Sequence, residues 1–303
     1  MNCISVEQLN ILADNPAEFI DKGEKLYHKR IETAALDILN NRETRPVVLI
    51  SGPSGSGKTT SATRIANILE SHGCKAHTIS MDDYFLPMSE NLAAVDENGK
   101  IDFESPMRLD IKLFQQHLDM LFRGEKIDIP SFDFAAQDRR PGTSLRREKG
   151  DIVIIEGIHA LNPMVTGDTD RFTTRIYVSV RTRIAHGDKL LHPSKIRLMR
   201  RLLRDKLYRG RSFADTFEFF KSVERGENLY IMPFKNRANF DIDTFIEYEA
   251  PVYRDILLPE LEKTAPVYKD YGDYSDIEYF LRLLSGVGSD YVPGHSLVRE
   301  FIG

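Results

Sequence analysis

Cysteine is nearly missing from this 303-residue chain, which has only Cys3 and Cys74. Two isolated thiols exclude a disulfide scaffold and a cysteine-built zinc site, and point to a reducing compartment, the cytoplasm. Excess positive charge is missing too. Forty-one Lys and Arg face 46 Asp and Glu, a net charge of −5 with a pI near 6.0. Without a basic field, neither nucleic acid nor an anionic membrane is an expected partner. No apolar run approaches membrane length, and the start, MNCISVEQLN, lacks the basic stretch and apolar core of a secretion signal. There is no internal repeat and no long low-complexity tract. What is present, 41% hydrophobic and 29% charged residues, suits a soluble globular protein of one large α/β domain or two small ones.

The chain divides into three stretches. Residues 1–44 read as a helical extension in which Asn15, Pro16 and Glu18 form an N-cap, N1 and N3 set. An apolar stripe of Ile20, Tyr27, Ile31, Ala34 and Ile38 lies beyond them. Residues 45–265 alternate strands and helices. The spacing predicts strands at Val47–Ile50, Ala76–Ser80, Ile152–Glu156, Ile176–Val180 and Asp241–Phe245. Helices are predicted near Thr59–His72, Ile111–Phe122, Ile196–Tyr208, Phe213–Val223 and Val252–Lys263. Such alternation predicts a doubly wound parallel sheet with helices on both faces. Residues 266–303 carry tyrosines and acids, then a short helix, IEYFLRLL, as a C-terminal tail packed on the middle stretch.

The segment VVLISGPSGSGKTTSATRIANIL, residues 47–69, joins a buried strand to a helix N-terminus. Gly52 to Thr59 fits G-x-x-x-x-G-K-[ST] in full. Unpaired N–H groups and the helix dipole favour an anion there, and glycines let the backbone wrap it closely. Gly52, Ser54, Gly55, Ser56, Gly57, Lys58, Thr59 and Thr60 are the expected phosphate contacts. Lys58 reaches the outer phosphates, and the Thr59 hydroxyl can ligate Mg²⁺. A nucleoside triphosphate is the implied ligand.

Ligands of open α/β sheets collect at the carboxyl ends of strands. SMDDYF delivers Asp82 and Asp83 there, as a proton acceptor or a Mg²⁺ holder, and DIVIIEGIHALNP delivers Glu156. A carboxylate ending a buried strand needs a partner, and Mg²⁺ is the obvious one. His159 reads as structural. In RLMRRLLRDKLYRGR, Arg197, Arg200, Arg201 and Arg204 fall on one helix face, with Met199, Leu202, Leu203 and Leu207 on the other. The arginine stripe suggests a charge-neutralising lid, extended by Arg209 and Arg211. A GTPase would carry an Asn-Lys-x-Asp reader, and no Asn-Lys pair occurs. Asp96-Glu97-Asn98-Gly99 matches D-x-x-G only in a turn-like stretch. A transporter-type signature, LSGVG at 284–288, comes long after the acidic strand. A small-molecule kinase fits better, since base, metal carboxylate and lid all have candidates.

GPSGSGKTT, SMDDYF, DFESP, IPSFDF, IEGIHALNP, RRLLRDKLYRG and SVERGE followed by YIMPF stand in the order seen in uridine kinases and phosphoribulokinases. The chain resembles that family over roughly residues 45–303, most of all bacterial uridine-kinase-like nucleoside kinases. The resemblance extends to the terminal SLVREFIG. It implies an α/β P-loop NTPase fold of nucleoside/nucleotide-kinase type and ATP- and Mg²⁺-dependent transfer to a nucleoside 5′-hydroxyl, on uridine or cytidine. Asp82 matches the catalytic base, acting with Lys58 and Arg204. Thr59 and Glu156 match metal-associated positions. Glu104 matches the residue holding ribose hydroxyls, Phe132 an aromatic of the base pocket, and Arg201, Arg204 and Arg209 the lid. Gln137 stands where shorter animal enzymes have a base-reading histidine. His192-Pro193-Ser194-Lys195 and Glu224-Arg225-Gly226 also depart from the pattern, and only a short helical extension replaces the TGS-type N-terminal region of long bacterial forms. Two alternatives stand beside this reading: a kinase of another hydroxylated metabolite, such as a sugar phosphate or a pantothenate-like compound, and a non-enzymatic nucleotide-responsive protein. A homo-oligomer is compatible with either.

Overall fold

A computed structural model describes residues 2–90, 94, 95, 99, 101–268 and 272–303. Asp96, Glu97 and Asn98 of the D-x-x-G match lie outside the described residues.

In chain order the elements are β1 (Cys3–Ser5), α1 (Val6–Ala13), α2 (Pro16–Asn41), β2 (Val47–Ser51), α3 (Lys58–Ser71), β3 (Ala76–Ser80), α4 (Ile111–Arg123), β4 (Lys126–Asp133), β5 (Asp138–Arg146), β6 (Ile152–Glu156) and α5 (Pro163–Thr166). Next come β7 (Thr173–Ser179), β8 (Arg183–His186), β9 (Lys189–Leu191), α6 (Pro193–Arg209), α7 (Phe213–Gly226), β10 (Phe240–Asp243), α8 (Glu249–Tyr268), α9 (Gly272–Leu283) and α10 (Arg299–Ile302). The central sheet has five strands in the order β10-β7-β2-β6-β3, all parallel.

The aliphatic run of β2 explains its central place. Val48 and Ile50 face a core shared with α2, α3, α6, α8 and α9, whereas Val47 and Leu49 face a second core with α4. Ile152 and Ile154 of β6 divide from Val153 and Ile155 in the same way. Period-two alternation between two apolar faces needs an unbroken apolar sequence. α4 is stapled at both ends: Asp110 accepts from the Leu113 N–H at 3.0 Å, and Gly124 closes the helix at φ 73°.

Most predicted elements coincide with observed ones. β7 starts earlier than expected because its polar residues Thr173 to Arg175 pair with Val47 to Leu49 of β2, so an aliphatic criterion misses them. The last strand occupies Phe240–Asp243 instead of Asp241–Phe245. Asn15 precedes α2 as expected but makes no side-chain cap, and its amide donates instead to Glu18 at 2.8 Å. The stripe of α2 is buried, and Tyr27 reaches across to Ser61 of α3 at 2.8 Å. The antiparallel β4–β5 hairpin and the small β1-β8-β9 sheet lie outside the strand pattern read from the sequence. β1, β8 and β9 have only three or four residues each, and β5, though nine residues long, is mostly polar. No helix of the described residues is long and apolar enough to cross a membrane.

Candidate active site

The loop from β2 to α3 is shaped for close approach. A Cβ on Gly52 would lie 2.1 Å from the Val178 carbonyl oxygen, and Gly55 and Gly57 take φ of +75° and +83°. Only glycine accepts those conditions cheaply. Within the loop the buried Ser56 hydroxyl has no hydrogen-bond partner among the described residues, and the Lys58 ammonium rests on the Pro53 carbonyl at 3.3 Å. An orphaned hydroxyl and an amine parked on a carbonyl, in a cradle closed by glycines, fit a polyphosphate.

Four side chains meet at the carboxyl end of the sheet. Thr59 and Ser80 hydroxyls both donate to Oε1 of Glu156, each at 3.3 Å. Ser80 also accepts the backbone N–H of Asp82 at 3.3 Å. Burial raises the Glu156 carboxyl above its ordinary value, with Lys58 opposing and Asp82 adding to the shift. The packed walls of the cleft likewise raise Asp82, against the pull of Lys58. Paired hydroxyl and carboxylate oxygens beside a phosphate cradle suit a hard cation such as Mg²⁺, and Thr59 and Glu156 would hold it.

Glu104 lies opposite. Burial lifts its carboxyl to about 7, with Arg201 and Lys58 lowering it and Asp102 and Asp82 raising it. Its backbone N–H donates to Asp102 at 3.1 Å, and Asp102 is itself held by Arg225 at 3.0 Å and Tyr230 at 2.9 Å. Gly226 makes room: a Cβ there would lie 2.2 Å from Cβ of Glu104. His159 is buried near Tyr230, and burial lowers it to about 4, so its ring is neutral. Phe132 is buried in an aromatic group with Phe85 and Phe134 at 5.6 and 5.2 Å between centroids. Gln137 turns the β4–β5 hairpin at φ 54° and donates to the Phe134 carbonyl at 2.8 Å.

The arginines of α6 separate differently from the expected two faces. Arg200 is fully buried, bound to Glu249 at 2.7 Å and donating to the Gly55 carbonyl at 3.0 Å. It is a strut beneath the phosphate loop, because its helix packs into the core on the side where a lid would be free. Leu207, expected on the covered face, is exposed. Arg197 and Arg201 donate to the Ser54 carbonyl at 3.2 Å and hydroxyl at 2.8 Å. Arg201, Arg204, Arg209 and Arg211 share one carboxylate, the fully buried Asp205, at 3.3, 3.4, 3.2 and 3.7 Å. Asp205 and Ser80 escape a reading of the sequence alone. An acid amid the arginines of RRLLRDKLYRG and a hydroxyl ending a strand two residues before Asp82 were the available signals.

The C-terminal segment closes the far side of the loop. Glu300 accepts from the Thr60 hydroxyl at 2.5 Å, Leu297 covers Gly57, and the His295 carbonyl accepts from Arg64 at 2.8 Å. Between this segment, α2 and α3 lies a cavity of about 840 Å³ lined by Thr59, Thr60, Arg64, His295 and Glu300 among others.

A uridine kinase of Staphylococcus aureus strain JH9 is 30% identical over 214 residues, 71% of this chain and 87% of that protein. Among solved structures, D-glycerate 3-kinase of Cryptococcus neoformans gives 17% identity and a TM-score of 0.49 over 67% of this chain and 88% of that one. A structure described as a possible uridine kinase from Bacillus stearothermophilus gives 18% and 0.45 over 71% and 98%. The profile of the phosphoribulokinase / uridine kinase family matches residues 47–248, more than half the chain. With its phosphate loop, parallel sheet and strand-end carboxylates, the chain belongs to that family of P-loop kinases, phosphotransferases that act on an alcohol group.

Proposed function

We propose that the protein transfers the γ-phosphate of ATP, with Mg²⁺, to a hydroxyl of a small-molecule acceptor, the first reading being the 5′-hydroxyl of a nucleoside, uridine or cytidine. The observation that carries this is the convergence of Thr59, Ser80, Asp82 and Glu156 beside the Lys58 cradle. Mg²⁺ would draw charge from the β- and γ-phosphates. The acceptor hydroxyl oxygen bonds to the γ-phosphorus as the bond to the bridging oxygen of ADP breaks, and its proton passes to the Asp82 carboxylate. Lys58 and the loop N–H groups hold the phosphates, and Arg201, Arg204 and Arg209 take up charge on the transferring group while excluding water. Glu104 holds ribose hydroxyls, with Phe132 and Gln137 toward the base. The cavity beside Thr60 is the proposed place for the nucleoside half of ATP.

A second reading, transfer to another hydroxylated metabolite, is favoured by Arg108, a buried arginine near Gln137. The pure protein, incubated with ATP, Mg²⁺ and a panel of nucleosides and hydroxylated metabolites, should yield a monophosphate visible by mass spectrometry. No phosphorylated product from any member would sink the kinase reading.

A further inference from the structure

Arg108 ends the short turn Pro106–Arg108 that comes after Glu104 and Ser105, and its side chain is almost wholly buried, the residue being 2% exposed. The other deeply buried arginines of this region each meet a carboxylate: Arg200 has Glu249, Arg197 has Glu227, and Arg201 shares Asp205. Arg108 has none among the described residues. One terminal nitrogen meets the Met88 sulfur, the other reaches Gln137 Oε1 only at 3.5 Å, and Nε has no partner. Its guanidinium lies over the Phe85 and Phe103 rings, 5.7 Å from each centroid.

A guanidinium stays charged in a protein and carries five donors, so a thioether, one long amide contact and two ring faces leave it far from satisfied. Burying a charge without a counter-charge is strongly unfavourable. This one is tied to the acceptor side of the cleft. Phe85 packs on Phe132, Gln137 lies in the same hairpin, and Glu104 is in the segment leading to Arg108. Planar paired donors match a carboxylate or a phosphate bidentately.

We propose that Arg108 receives an anionic oxygen group, a carboxylate or a phosphate, carried by the acceptor away from its reacting hydroxyl. This rests on the phosphoryl-transfer reading of the cleft and takes the second acceptor class, a hydroxylated acid or phosphate ester. A neutral nucleoside leaves the guanidinium uncompensated.

The test uses the full chain with ATP and Mg²⁺ on matched pairs, ribose with ribose 5-phosphate and glycerol with glycerate, beside uridine and cytidine. The charged member of at least one pair should show kcat/KM about tenfold or more above its neutral partner and both nucleosides. The pair that responds distinguishes phosphate from carboxylate. In R108M, or R108Q should R108M fold poorly, that ratio should collapse, mainly through KM. A wild-type preference for a nucleoside over every anion, or an anion preference that survives both variants, overturns the proposal. Thermal unfolding with a non-hydrolysable ATP analogue and Mg²⁺ filling the phosphate loop separates the two claims. Ribose 5-phosphate or glycerate should raise the Tm of wild type and not of the variants. Such a shift without transfer to any acceptor supports the anion site while sinking the kinase reading, and no shift with either compound and no transfer overturns the anion site.

Discussion

Asp82 sits two residues beyond the end of β3, held by the Ser80 hydroxyl that also faces Glu156. As the proposed proton acceptor it should be replaceable without loss of the nucleotide. Asp82→Asn is expected to lower kcat by about 10²–10⁴-fold while ATP binding, followed by calorimetry, stays near wild type. Retained turnover would exclude Asp82 from the chemistry. Glu104 makes a pH-dependent prediction. Its folded value of about 7 lies above the ordinary 4.5, so between those values the folded state keeps a proton that the unfolded chain has lost. The associated stability is fully present below 4.5 and is lost as pH rises through 7. Glu104→Gln should therefore flatten the decline of Tm between about pH 5 and 8. If ionised Glu104 accepts acceptor hydroxyls, the wild-type KM for the acceptor should fall over the same rise in pH, and the Gln variant should lose that trend.

At the scale of elements, α6 meets the phosphate loop through arginines, Arg201 among those that Asp205 gathers, and α7 meets Glu104 at Gly226. Asp205 gathers four guanidinium groups while fully buried. Removing the single negative partner leaves those cations repelling one another, and breaking buried pairs costs about 3–5 kcal/mol. Asp205→Asn should lower Tm and reduce kcat by about tenfold or more, measured by thermal melts and steady-state kinetics. If kcat is unchanged, the fan of arginines has no part in transfer. Gly226 presses α7 against Glu104. Gly226→Ala is expected to displace Glu104, raising acceptor KM more than ATP KM, with about 1–3 kcal/mol lost by overpacking. An equal change in both KM values would contradict this placement.

For the whole molecule, both chain ends pack on α3, the helix that follows the phosphate loop. α2 supplies Tyr27 to Ser61 and Glu24 to Arg64, and the tail supplies Leu297 over Gly57 and Glu300 to Thr60. Phe301 is fully buried, over the Arg200 guanidinium at 5.2 Å from its centroid. Phe301→Ala should cost about 3–5 kcal/mol and, because Arg200 bears on Gly55, should weaken ATP binding. Denaturant melts with and without ATP check both effects; unaltered nucleotide affinity would separate the tail from the loop.

Local chemistry alone determined the strand β2, the glycine cradle and the capped ends of α4, because each depends on residues adjacent in the chain. It also placed Asp82 and Glu156 at strand ends, since parallel strands deliver their C-terminal residues to one edge. The sharing of Asp205, the use of Arg200 as a buried strut and the lone charge of Arg108 were decided only by tertiary structure. A row of arginines reads the same whether solvated, paired or buried; only partners distant in the chain, such as Glu249, distinguish those states. The chain termini obey the same rule. Their apolar spacing announced that they pack, and the surface they pack against, α3 and the core around it, exists only once the sheet has folded.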